Sequence, residues 1–144
     1  MSSKPRLGFL GVGWIGRHRM KKMLETGVVE AGAIADPSAE MRAEAVALAP
    51  DAAVVDTIEK LLAQDIDGVV IATPSAQHAE QSIAALERGM AVFCQKPLGR
   101  TAAEVAAVVE AARRADRLLG VDLSYRFTNG MQRIRELLRA GELG

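Results

Sequence analysis

The sequence predicts an α/β chain, a doubly wound parallel sheet in three layers with strand order 3-2-1-4-5-6. Two observations carry this. Short β-rich runs alternate with longer helical patterns along the whole chain, and parallel strands need such crossovers, right-handed in about 98% of cases. The fourth β-rich run, Gly68–Ala72, is almost wholly apolar, as a strand buried on both faces should be.

Leu7–Leu10 is the first strand. A helix follows over Ile15–Glu25, with Ile15, Met20, Met23 and Leu24 sharing an inward face. Val28–Ala35 is the second strand. Pro37 and Ser38 open a helix to about Leu48, the Ser38 hydroxyl accepting an orphan backbone N–H. Ala53–Val55 is a short third strand. Asp56-Thr57-Ile58-Glu59 reads as a capping box, Asp56 in the cap position, for a helix ending near Gln64. After the fourth strand, Gln77–Arg88 is a helix closed by a left-handed Gly89. Ala91–Gln95 is the fifth strand. Thr101-Ala102-Ala103-Glu104 caps a helix to about Arg114, and Leu118–Leu123 is the sixth strand. A basic amphipathic helix runs from about Gly130 to Ala140 and stops at Gly141.

A length of 144 residues allows one domain, or one and a stub. Lys and Arg number 18, as do Asp and Glu, so the net charge is zero. That balance argues against nucleic acid as a partner, which needs a basic excess or face. Aromatic residues are 3% of the chain, so the core is aliphatic. The single cysteine, Cys94, and two distant histidines, His18 and His78, exclude a disulfide framework and predict no metal site. Cys94 reads as a buried strand thiol, and His18 as a surface or packing group on the first helix. No run of about 18 apolar residues exists to cross a membrane, and Met1–Arg6 is too short for a signal peptide. The expectation is a cytoplasmic chain.

Gly11-Val12-Gly13-Trp14-Ile15-Gly16 places G-x-G-x-x-G between the first strand and its helix. Gly11 allows the tight turn, Gly13 lets a pyrophosphate approach the backbone, and Gly16 lets helix and strand pack closely. The helix start offers free N–H groups and about half a positive charge. Asp36 follows Gly16 by 20 residues, where an acid holds the adenosine ribose 2′-hydroxyl. An Asp there repels a 2′-phosphate, and Pro37 rather than Arg follows it. NAD is therefore the expected cofactor. Arg42, one turn into the next helix, leaves NADP as the alternative. Trp14 is read as a packing residue at the turn, or else as a wall beside the pyrophosphate.

Two more segments follow strand ends, where ligands bind in open α/β sheets: Ala72-Thr73-Pro74 with His78, and Gln95-Lys96-Pro97. Together with the glycine fingerprint, Tyr125-Arg126-Phe127 and the closing Gly141-Glu142-Leu143-Gly144, they make nearly the whole chain similar to the N-terminal domain of the glucose-fructose oxidoreductase / inositol dehydrogenase (Gfo/Idh/MocA) family. The resemblance implies a Rossmann domain over residues 1–124. Residues 125–144 would be a linker helix leading to a substrate domain that this chain lacks. It implies hydride transfer between a nicotinamide and a hydroxyl or carbonyl of a sugar, polyol or related compound. Lys96 would be the catalytic residue beside the nicotinamide and the substrate hydroxyl. Thr73 and Pro74 would floor the nicotinamide ribose, with His78 near it; a bland reading makes His78 a first-turn helix residue. Pro97 would fix the turn, leaving open a cis bond. Tyr125 and Arg126 would end the sixth strand, either anchoring the last helix or standing near substrate.

The family pattern carries Glu where this chain has Gln95. Gln95 can hydrogen-bond but supplies no charge to Lys96. That difference keeps a second reading open: a non-catalytic dinucleotide-binding module or redox sensor. A third, an S-adenosylmethionine methyltransferase, also has a glycine-rich loop but is disfavoured by the full fingerprint, Asp36 and Lys96-Pro97. Half a site predicts dinucleotide binding with little or no turnover alone. Leu137, Leu138 and Leu143, around the last helix, predict association into a homodimer through that helix.

Overall fold

The structure, a computed structural model, describes residues 4–142. Six parallel strands form one sheet: β1 (Arg6–Leu10), β2 (Glu30–Ala35), β3 (Ala53–Val55), β4 (Gly68–Ile71), β5 (Ala91–Gln95) and β6 (Leu119–Asp122). Their order is β3-β2-β1-β4-β5-β6, as expected. Alternate residues of each strand enter opposite faces. Phe9, Ile34 and Val70 pack with Met20 and Ala45, beneath helices α1 (Trp14–Glu25) and α2 (Ala39–Val46). Leu10, Ala35, Val69 and Ile71 pack with Leu61, Leu86 and Val108. Those last three come from α3 (Ile58–Leu61), α4 (His78–Glu87) and α5 (Ala102–Ala115). Three layers result. The carboxyl ends of β1, β4 and β5 line up through the pairs Leu10–Ile71 and Ile71–Cys94, so the loops that follow them converge.

Several local expectations change. β2 starts at Glu30 rather than Val28, which is exposed beyond a Gly27 of positive φ. The third helix is a single turn capped by Thr57, whose hydroxyl accepts from the Lys60 N–H; Asp56 pairs with the Lys60 ammonium instead. Ile15 is exposed rather than inward, since Gly16 and Met20 are the buried positions of α1. A 3-10 turn, Ser75–Gln77, precedes α4. β6 ends at Asp122, so Tyr125 and Arg126 lie beyond the sheet in an exposed 3-10 turn, Ser124–Phe127. Ser38, Thr101 and Gly89 cap as expected.

The last helix, α6 (Asn129–Arg139), has no buried residue and exposes Met131, Ile134 and Leu138. Leu137 is half-buried, and Leu143 lies outside the described residues. Among the described residues no helix is long and apolar enough to cross a membrane, and no group of His, Cys, Asp and Glu could hold a metal ion.

Candidate functional site

The turn from β1 into α1 gives each glycine its own task. Gly11 has φ +81°, and a Cβ there would meet the Ala72–Thr73 backbone at 2.7 Å. A Cβ on Gly16 would meet the Gly11 carbonyl oxygen at 1.9 Å, so helix and strand close only around a residue with no side chain. A Cβ on Gly13 would meet nothing within 4 Å. Packing therefore requires glycine at 11 and 16, and leaves the space before Gly13 open. Gly13 caps α1 with no side-chain hydrogen bond, so the first-turn N–H groups face that space unclaimed by a cap. The bare backbone and positive helix end fit a diphosphate.

Asp36 ends beside this turn. Its Oδ2 accepts the Val12 N–H at 3.0 Å and its Oδ1 the Ser38 N–H at 2.9 Å, so one carboxylate fixes both the glycine turn and the start of α2. A cleft of about 490 Å³ opens here, lined by Gly11, Gly13, Asp36, Asp56, Glu59, Thr73 and Pro74 among others. Hydrogen bonding from Lys60 holds the Asp56 carboxyl below its usual range, and backbone hydrogen bonding does the same for Glu59. Arg42 donates to the Asp36 and Pro37 carbonyls at 2.6 and 3.1 Å.

A second cleft, of about 440 Å³, lies across α1 between the ends of β5 and β6. Trp14, Ile15, His18, Arg19, Gln95, Lys96, Asp122 and Tyr125 line it. Trp14 is 75% exposed and stacks on His18, with ring centroids 6.2 Å apart, so it is a wall of the cleft and not a packing residue. Lys96 is exposed, and the Lys96–Pro97 bond is cis. His78, read either as a first-turn helix residue or as a neighbour of the ribose, is the first residue of α4 and 1% exposed. Its Nδ1 lies 2.6 Å from the Pro97 oxygen and its Nε2 2.7 Å from the Thr73 oxygen. Both nitrogens thus face backbone carbonyls, and His78 holds the two loops rather than lining either cleft.

Arg19 and Asp122 were not among the expected site residues. They are 103 positions apart, and the fold brings Arg19 on α1 to Asp122 at the end of β6. The available signal was an acid at a strand end, where ligand-facing residues collect. Cys94 is buried as expected, and burial pushes its thiol up to about 11.

Residues 5–123 match the family described as an oxidoreductase family with an NAD-binding Rossmann fold, GFO_IDH_MocA. The rhizopine catabolism protein MocA of Rhizobium meliloti is 34% identical over 141 residues, covering 96% of this chain and 44% of that protein. Inositol 2-dehydrogenase of Rhodococcus erythropolis is 34% identical over 142 residues, covering 96% of this chain and 41% of that protein. The solved WlbA dehydrogenase from Bordetella pertussis, in complex with NADH and UDP-GlcNAcA, superposes with a TM-score of 0.86 at 27% identity. The match covers 99% of this chain and 42% of that one. The chain therefore spans less than half the length of these relatives.

Proposed function

The chain belongs to the Gfo/Idh/MocA oxidoreductase family, and on that footing we propose that it is the cofactor-binding half of an NAD-dependent dehydrogenase. Its substrate would be a sugar, polyol or related hydroxyl compound. The observation that carries the reading is the open space before Gly13, flanked by glycines that packing alone demands.

Bound there, NAD would accept or return a hydride. The N–H groups of Gly13, Trp14, Ile15 and Gly16 would hold the diphosphate. Asp36 would hold the adenosine ribose. Asp56 and Glu59 line the same cleft, so a 2′-phosphate would enter against three carboxylates. This favours NAD over NADP, although Arg42 stands close by. Thr73 and Pro74 would floor the other ribose, and His78 and Pro97 would fix the height of the two loops. The Lys96 ammonium, exposed in the second cleft, would hydrogen-bond the hydroxyl being oxidised and steady the charge that develops on its oxygen. Residues 1–124 would form this domain. Residues 125–144 would lead towards a substrate domain, α6 offering its apolar side to that domain or to a second copy.

Calorimetry with NAD, NADP and S-adenosylmethionine tests the reading. Binding of NAD ahead of NADP, with none of S-adenosylmethionine, is expected. Binding of S-adenosylmethionine alone would overturn it.

A further inference from the structure

We infer that Asp122 is a positioning residue for Lys96, acting through Gln95; the inference rests on the functional reading above. Gln95 and Asp122 are Cα partners at the ends of β5 and β6. Gln95 Nε2 donates to Asp122 Oδ2 at 3.0 Å, and Gln95 Oε1 accepts the Lys96 N–H at 2.9 Å. An ionised carboxylate only accepts and a backbone N–H only donates, so one orientation of the amide satisfies both. Asp122 is 6% exposed and also accepts from Arg19 Nε, while Arg19 Nη2 donates to Ser124 Oγ at 3.1 Å. A carboxylate this buried requires such partners. The strand ends and α1 are thereby tied together at the residue before Lys96.

The family pattern puts Glu where Gln95 stands. Beside Asp122, a Glu would set two carboxylates against one guanidinium, a repulsive pair in a half-buried place. This chain instead carries its carboxylate on β6 and its amide on β5. The network holds one carboxylate, one amide and the guanidinium, so a carboxylate on β5 with an amide on β6 would satisfy the same donors and acceptors.

The test titrates the 144-residue chain with NADH, read by nicotinamide fluorescence, and with ADP-ribose, which lacks the nicotinamide. Wild-type chain that binds neither overturns the functional reading, and this inference with it. Given wild-type binding, Gln95→Glu is expected to weaken NADH about tenfold and to leave ADP-ribose within about twofold. The double variant Gln95→Glu with Asp122→Asn restores the one-carboxylate, one-amide set and is expected to recover most of the loss. If Gln95→Glu fails to fold, Asp122→Asn alone serves. It keeps an oxygen for both donors, removes the charge, and is expected to weaken NADH selectively. Equal loss for both ligands, no loss in either single variant, or a double variant no better than Gln95→Glu overturns the inference.

Discussion

His78 Nδ1 lies 2.6 Å from the carbonyl oxygen of Pro97, and this contact joins the loop after β4 to the loop after β5. The other ring nitrogen sits on the Thr73 oxygen. Removing the ring takes away the N–H that serves a loop carbonyl and leaves a cavity in a fully buried place. His78→Ala should cost about 2–4 kcal/mol in urea unfolding. NADH affinity should fall as well, because both loops border the cofactor clefts. A variant as stable as wild type would show that the ring holds nothing.

Gly13 and Gly16 should separate folding from binding. Gly13→Ala places its methyl in open space and should unfold like wild type, while weakening NAD at least tenfold by blocking close approach. Gly16→Ala drives a methyl into the Gly11 carbonyl and should destabilise the fold by about 2 kcal/mol or more. Thermal melts and calorimetry on the pair read both effects. Equal melting points would contradict the assignment.

Asp36 holds two backbone N–H groups in addition to its proposed ribose contact. Asp36→Ala should therefore lower the melting temperature, by about 1–3 kcal/mol of stability. It should also weaken NAD more than NADP, because the repulsion of a 2′-phosphate disappears with the acid. Equal losses for both nucleotides would remove Asp36 from the ribose.

Cys94 makes stability fall in alkali. Its thiol is held up to about 11 by burial, whereas an unfolded thiol ionises near about 8.5. Between those values the unfolded chain releases the proton and the folded chain keeps it, so stability drops as pH rises through the window. Cys94→Ala should show a shallower decline between about pH 8.5 and 11. Identical profiles would place the thiol in contact with solvent.

The glycine turn and most caps could be read from sequence because each depends on neighbours within one strand–helix unit; Asp36 was legible from its distance after the glycines and the sheet order from the repeated strand–helix alternation. The misread parts depend on competition between neighbouring side chains or on distant packing. Thr57 caps α3 because Asp56 finds the Lys60 ammonium. Ile15 turns outward because Gly16 must face the strand. The pairing of Asp122 with Gln95 is a register effect between β5 and β6, and its bond to Arg19 spans most of the chain. Neither leaves a mark in local spacing.

A crystal structure of the chain with NADH bound tests the central claim most directly. The diphosphate should lie within hydrogen-bond distance of the Gly13–Ile15 amides, with the adenosine ribose on Asp36. A nucleotide seated elsewhere, or side chains filling the space before Gly13, would contradict it.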